Sequence, residues 1–365
     1  MWTNDLTKLL HSKYPLIQAP MAGGPTTPEL VAAVSNSGGL GTIAAGYLSP
    51  MQLKEQVKAV KLLTKLNFAV NVFVPAKYTI DEDVVRNAIS LLKPIKEKLN
   101  VPEESPALPN YEHDLEIFHE QLKVIVEENV PICSFTFGIP SPEVVTQLKK
   151  EAIVVIGTAT TVNEAIMNEK AGMDAVVVQG SEAGGHRGSF LKNGQESLIG
   201  LLSLIPQVAD SVQLPIIAAG GIMDARGLVA ARSLGAKGVQ MGTAFLTCSE
   251  SGANQAHKDA ILKASEDQIV LTSSFSGKQA RGINNSFITA MEGKEGGLPE
   301  YPIQNALTKG IRKQAGIQKN PDYMSLWSGQ SPRLAKAVSA KELMNGIILS
   351  AENIVQGLIS SNFGE

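Results

Sequence analysis

The chain has 365 residues, enough for two average domains or for one barrel of about 250 residues carrying insertions. Hydrophobic residues make up 44% and supply a substantial core, while a net charge of −3 without any Lys/Arg run argues against nucleic acid or an anionic membrane as partner. Two distant cysteines, Cys133 and Cys248, rule out a disulfide scaffold and read as buried thiols in a reducing cytosol. No leader-like N-terminal segment and no apolar run near the roughly 20 residues that span a bilayer are visible, so a cytoplasmic protein is expected.

In chain order, Leu16 to Met21 (LIQAPM) reads as the first strand. A helix from Pro28 to Ser37 follows, with Thr27 as N-cap and Gly38-Gly39 as its stop. Gly41 to Ala45 is the second strand, a helix lies near Pro50 to Leu63, and Phe68 to Val74 is the third strand. Ile132 to Phe137, Ile153 to Ile156, Ala175 to Gln179, Ile216 to Ala219 and Gly238 to Met241 supply five more. Eight strands alternating with helical patterns predict a parallel sheet closed as a (β/α)₈ TIM barrel. An open doubly wound sheet would carry a GxGxxG turn after its first strand, where this chain has PMAGGPTTP. Two stretches break the repeat: an insertion at about 76–111 after the third strand, and a Gly-, Ser- and Asn-rich segment after the eighth. The expected division is a barrel over 1–264, a cover over 265–339, and a C-terminal helix packing on the barrel within 340–365.

Chemistry is expected where strands end. Ile216 to Asp224 (IIAAGGIMD) ends a strand in Gly220-Gly221, and Gly238 to Leu246 (GVQMGTAFL) ends the next at Gly242 and Thr243. Glycines let a ligand approach the backbone, and adjacent strand ends late in a barrel converge on a phosphate. Val176 to Phe190 runs from a strand ending at Gln179 into a loop with four glycines, Gly180, Gly184, Gly185 and Gly188, around Glu182 and His186. Such a loop folds over a flat ring, and histidine is the side chain best suited to proton transfer near neutral pH. Asn71 alternates with Val70 and Val72 and so points to a different face, toward a ligand or a barrel hydrogen bond. Ala19, Pro20 and Met21 lie at the end of the first strand and could lay backbone against a ring.

Taken together, IQAPMAGGPTTPELVAAVSNSGGLG, NVF, SFTFG, QGSEAGGHRGSF, AAGGIMDARG, GVQMGTAFL and SGKQARGINNSF, in this order, resemble the nitronate monooxygenase family, formerly called 2-nitropropane dioxygenases. The resemblance implies a flavoenzyme with one non-covalent FMN that oxidises alkyl nitronates such as propionate 3-nitronate with dioxygen. It implies FMN contacts at Asn71, Gln179, Gly184, Gly185, Gly220, Gly221, Gln240, Met241, Gly242 and Thr243, with Ala19, Pro20 and Met21 against the ring, and His186 as the catalytic histidine. Tyr301 and Lys309 resemble a late Tyr/Lys pair that lines the substrate cavity, and Arg187 and Lys309 are candidate sources of positive potential. Two positions depart from the pattern: Thr136 stands where many relatives have a second histidine, and Asn305 where a tyrosine is expected. The competing expectation is an FMN-dependent enoyl-acyl-carrier-protein reductase using NAD(P)H, which shares the EAGGH loop. Oligomeric state is not legible.

Overall fold

The computed structural model describes residues 2–102, 107–191 and 197–360. Parts of two expected features, 103–106 in the insertion and 361–365 after the last helix, lie outside the described residues.

Eight parallel strands form the barrel: β1 (Leu16–Gln18), β2 (Gly41–Ala44), β3 (Phe68–Phe73), β4 (Ile132–Thr136), β5 (Val154–Ala159), β6 (Ala175–Gln179), and, after the two-residue β7 (Gly185–His186), β8 (Ile216–Ala219) and β9 (Gly238–Met241). The sheet order is β1-β9-β8-β6-β5-β4-β3-β2. Leu40, just before β2, closes the ring on β1, taking Leu16 O and giving its own carbonyl to Gln18 N–H, both at 2.9 Å. This is the (β/α)₈ barrel expected from the alternation.

Side chains alternate between two cores. Val70, Val72, Cys133, Phe135 and Val155 face the helices outside. Ile17, Leu40, Ala69, Ile132, Ile156, Val177 and Ile217 fill the lower interior. Leu6 and Leu10 of the Asp5–Leu10 helix, both fully buried, plug that interior from below. At about 1.5–3 kcal/mol for each buried leucine, this apolar floor is worth several kcal/mol and leaves the opposite, C-terminal mouth as the place for polar groups.

Local signals set the helices. Thr27 caps the Pro28–Asn36 helix by accepting from Leu30 N–H at 3.0 Å. Ser339 and Glu342 cap the Ala340–Ser360 helix reciprocally, at 2.9 and 3.2 Å. That last helix buries Leu343, Met344, Ile347 and Ile348 in the core shared with the Pro28–Asn36 and Ala225–Ser233 helices.

The insertion and the late segment prove to be one construction. The insertion carries the Glu82–Lys98 helix, while Tyr111–Glu127 is the ordinary crossover helix between β3 and β4. Val85, Ala88 and Leu92 pack with Phe275, Phe287, Ile303 and Ile311 in a separate core over the barrel mouth. The late segment also holds β10 (Ile269–Thr272) and β11 (Ala280–Ile283), and β7 completes their antiparallel sheet in the order β10-β11-β7.

Candidate functional site

The upper interior of the barrel is polar. Two residues beyond the apolar floor on successive strands stand Asn71, Ser134, Thr158 and Gln179, and Gln240 pairs in register with Ile17 and Ala219. Asn71 is 2% exposed and its Nδ2 donates to Ser134 Oγ at 3.0 Å and Thr136 Oγ1 at 3.1 Å. Its Oδ1 accepts no bond among the described residues. Thr136, the residue in the slot expected for a second histidine, thus acts here as an acceptor for Asn71.

Gln179 points inward but is already engaged. Its Nε2 donates to His186 O at 3.1 Å and its Oε1 accepts from Gly188 N–H at 2.8 Å, so it folds the histidine loop back over the mouth. Arg187, 1% exposed, clamps the same loop by donating to the carbonyls of Gly180, Gln179 and Ser197 at 2.6, 3.1 and 2.8 Å. It is a tie between backbone segments and directs its guanidinium away from open space. Glu182 accepts from Leu201 N–H and Glu164 from Phe190 and Leu191 N–H, fixing the two loop flanks. The glycines serve the chain's own crossings as well. A Cβ on Gly184 would lie 2.5 Å from Gly329 N, because Ser328–Gly329 passes directly over it. Gly185 has a φ of 73°, open to glycine without strain.

His186 sits on β7, paired with Ala280 of β11. Its Nε2 lies 2.8 Å from Ser276 Oγ, and that hydroxyl in turn donates to Lys278 O at 3.0 Å. Three aromatic rings surround the imidazole: Trp327 at 5.4 Å, Tyr301 at 6.0 Å and Phe137 at 6.1 Å between centroids. Phe137 holds a φ of 71°, a strained conformation for a residue with a side chain, and it aims its ring between Phe73, His186 and Tyr301. Lys278 Nζ stands 5.2 Å from the centre of the Phe137 ring and donates to Ser189 O at 3.0 Å. Burial, with added repulsion from Lys278 and Arg312, pushes the His186 pKa down to about 3. The imidazole is therefore neutral, with Lys278 and Arg312 as the cations that act on it.

The ends of β8 and β9 offer unpaired donors. Gly220 and Gly221 have φ of 134° and 64°. Gly242 begins the short Thr243–Leu246 helix without a side-chain cap. Among the described residues, the backbone N–H groups of Gly221, Ile222, Thr243 and Ala244 make no hydrogen bond, although Ile222 and Ala244 are buried. Buried amides without acceptors call for one. The Thr243 hydroxyl accepts from Gly329 N–H at 2.9 Å and keeps its own proton to donate. Met241 is buried in the outer core, so its side chain faces away from the mouth.

At the end of β1 the donors are spent: Ala19 N–H goes to Met241 O and Met21 N–H to Thr26 Oγ1, while Pro20 has none. What Ala19, Pro20 and Met21 present is apolar surface. Tyr301 stands beside His186. Lys309 is exposed at the start of the Lys309–Ile317 helix, and the cation of that helix that acts on His186 is the half-buried Arg312, three residues on. Ser276, Lys278, Phe137, Trp327, Tyr47 and Arg312 were not singled out from sequence. Three of them lie inside motifs that were: Ser276 and Lys278 in SGKQARGINNSF and Phe137 in SFTFG.

Fold and site define a (β/α)₈ barrel whose C-terminal mouth holds a roofed cluster of aromatic rings around His186 beside a set of backbone amides that make no hydrogen bond among the described residues. The chain belongs to the nitronate monooxygenase family, an oxidoreductase family, whose model matches residues 4–350. A protein described as a probable nitronate monooxygenase from Staphylococcus aureus (strain Newman) is 51% identical over 358 residues, covering 98% of this chain and 99% of the relative. Among solved structures, nitroalkane oxidase from Streptomyces ansochromogenes superposes with a TM-score of 0.89 at 35% identity, over 97% of this chain and 99% of that one. FabK from Thermotoga maritima superposes with a TM-score of 0.77 at 29% identity, over 99% and 100%.

Proposed function

We propose that the protein is an FMN-dependent nitronate monooxygenase, oxidising alkyl nitronates such as propionate 3-nitronate with dioxygen to a carbonyl compound and nitrogen oxyanions. The observation that carries this reading is a neutral imidazole held inside an aromatic cavity flanked by two cations, Lys278 and Arg312. A nitronate is an electron-rich anion, and such a cavity attracts it without a proton being transferred first.

The residues present fit FMN. Its phosphate would be held by the free amides of Gly221, Ile222, Thr243 and Ala244 and by the Thr243 hydroxyl. Gly220 and Gly242 keep that corner free of side chains. The ring would lie on the apolar surface of Ala19, Pro20 and Met21, near Asn71 and Gln240, under the loop that Gly184 and Gly185 allow. Gln179 would support this loop, and Met241 would contribute backbone only. When bound, FMN supplies the electron acceptor that a nitronate needs.

His186 orients the nitro group and, when a neutral nitroalkane is offered, removes its α-proton. Ser276 has one proton, and with that proton on the Lys278 carbonyl its oxygen accepts from Nε2–H. Nδ1 is then the basic nitrogen. The stretch 265–339 acts as the cover that excludes water, through Ser276, Tyr301 and Trp327.

The test is direct. Purified protein should release FMN on denaturation, identified by mass. Anaerobic propionate 3-nitronate should bleach the bound flavin's absorbance, and air should restore it with release of nitrite. Release of FAD or of no flavin defeats the reading. Bleaching by NADH but not by nitronate moves it to an NAD(P)H-dependent reductase.

A further inference from the structure

We propose that Ser331, a residue of the late segment and not of the barrel, is a further ligand of the cofactor phosphate, donating its hydroxyl to the anion beside the amides at the end of β8. This rests on the reading of that corner as the phosphate site of FMN.

Ser331 is a serine at a cap position that does not cap. It opens the Pro332–Leu334 3₁₀ turn, yet its side chain makes no hydrogen bond to that turn, whereas a serine in this place ordinarily accepts from a backbone N–H. Among the described residues its hydroxyl makes no other hydrogen bond. It stands instead at Gly221: a Cβ built on that glycine would lie 3.7 Å from Ser331 Oγ. The N–H groups of Gly221 and of the buried Ile222 have no acceptor among the described residues. A hydroxyl with a proton to give and two unpaired amides are thus brought together at one strand end, and one anion supplies the acceptor that each lacks.

The hydroxyl is also held in place. Gln330 N–H donates to Glu182 O at 3.0 Å and Gly329 N–H to Thr243 Oγ1 at 2.9 Å. The buried Pro332 fixes the chain on the other side. A donor anchored from both sides loses little freedom when its acceptor arrives. The two anchors belong to the same corner: Thr243 follows the end of β9, and Glu182 lies against Gly221 at the end of β8. No carboxylate opposes an anion there. What Glu182 presents to Gly221 is Cβ and Cγ, while its two oxygens both accept from Leu201 N–H, at 2.8 and 3.0 Å. A phosphate at this corner would join the late segment to the barrel, and a flavin without a phosphate would bind with no help from Ser331.

The experiment removes flavin from the full-length protein and titrates it with FMN or with riboflavin, which has the same ring and no phosphate, following the loss of flavin fluorescence. Ser331→Ala should weaken FMN binding about 10- to 100-fold, the scale of a hydrogen bond to a charged group, and riboflavin binding less than about threefold. Ser331→Asp, which sets a carboxylate beside the phosphate, should weaken FMN binding further and again spare riboflavin. Equal losses for both flavins would show a general disturbance of the fold and overturn the assignment. Unchanged FMN affinity in Ser331→Ala, with FMN still preferred to riboflavin, overturns it too and leaves the FMN reading standing. A wild-type protein that binds neither flavin defeats the functional reading and this assignment with it.

Discussion

Replacing His186 by Asn separates two roles that the geometry allows. In the free protein, burial and two cations lower the imidazole pKa from 6.5 to about 3. A value near 3 lies about four units below pH 7 and leaves roughly one imidazole in ten thousand protonated there. The group is thus always available as an acceptor, and kcat/KM for a neutral nitroalkane should show no acid limb from it between about pH 8 and pH 5. Asparagine can hold a nitro oxygen but cannot take a proton. Loss of a general base typically costs about 10²–10⁴-fold, whereas loss of one positioning hydrogen bond, at about 0.5–1.5 kcal/mol, costs about 2- to 13-fold. His186→Asn should therefore damage turnover of a nitroalkane at least about tenfold more than turnover of its matched nitronate. The assay is kcat/KM for both substrates across that pH range, normalised to bound flavin. Equal losses would refute the base role and leave an anchor. An acid limb near pH 6.5 in wild type that vanishes in the variant would refute the argument from desolvation.

Gly184→Ala should lower the thermal midpoint and cofactor retention together. Its Cβ would meet the backbone of Ser328–Gly329 at 2.5–2.6 Å, lifting that segment from Thr243 and from Glu182 O, a loss of two hydrogen bonds plus strain of about 2–4 kcal/mol; wild-type values for both would show that the crossing is loose. His257, 7% exposed and bonded to Trp327 O at 3.0 Å, has its pKa lowered to about 4 by burial. Because the folded value lies below the unfolded one of about 6.5, the stability is full above that pH and is lost as pH falls toward 4, by up to about 3 kcal/mol in all. Urea unfolding of wild type and His257→Gln from pH 7.5 to 4.5 should show a shallower acid decline in the variant, and parallel declines would remove this histidine as the cause.

The barrel was readable because its strands are short, apolar and regularly spaced, and because Asn71 between two valines can face only the other way. The polar mouth follows from the same alternation, which puts Gln179 on the inward face two residues beyond Val177. Its partner was not legible: the atoms it engages, His186 O and Gly188 N, belong to a loop whose path depends on a sheet formed 90 residues later. Arg187 looked like a charge for the substrate, yet charge alone cannot show that three backbone carbonyls surround it. Lys309 was expected from the resemblance alone, and nothing in the residue pattern singled out Arg312. Thr308 both ends the Ile303–Leu307 helix and opens the Lys309–Ile317 helix, so the face presented by each following residue depends on where that break falls.

The same geometry explains why the late segment cannot be a passive lid. The barrel by itself supplies Gln179 and the Arg187 clamp, which fix the backbone of the histidine loop, and Phe137, one of the three rings around its imidazole. The ring's hydrogen-bond partner Ser276, two of its aromatic walls, Tyr301 and Trp327, and both cations that act on it come from beyond β9. The Glu82–Lys98 helix shares the core on which this segment folds. The electrostatic character of the site, a neutral imidazole among cations, is therefore a property of the second core laid over the mouth, while the phosphate-type amides at β8 and β9 belong to the barrel. Binding of a phosphate-bearing ligand and tuning of His186 are built by different parts of the chain. They meet where Gly329 donates to Thr243, the contact through which the cover touches the amide cluster.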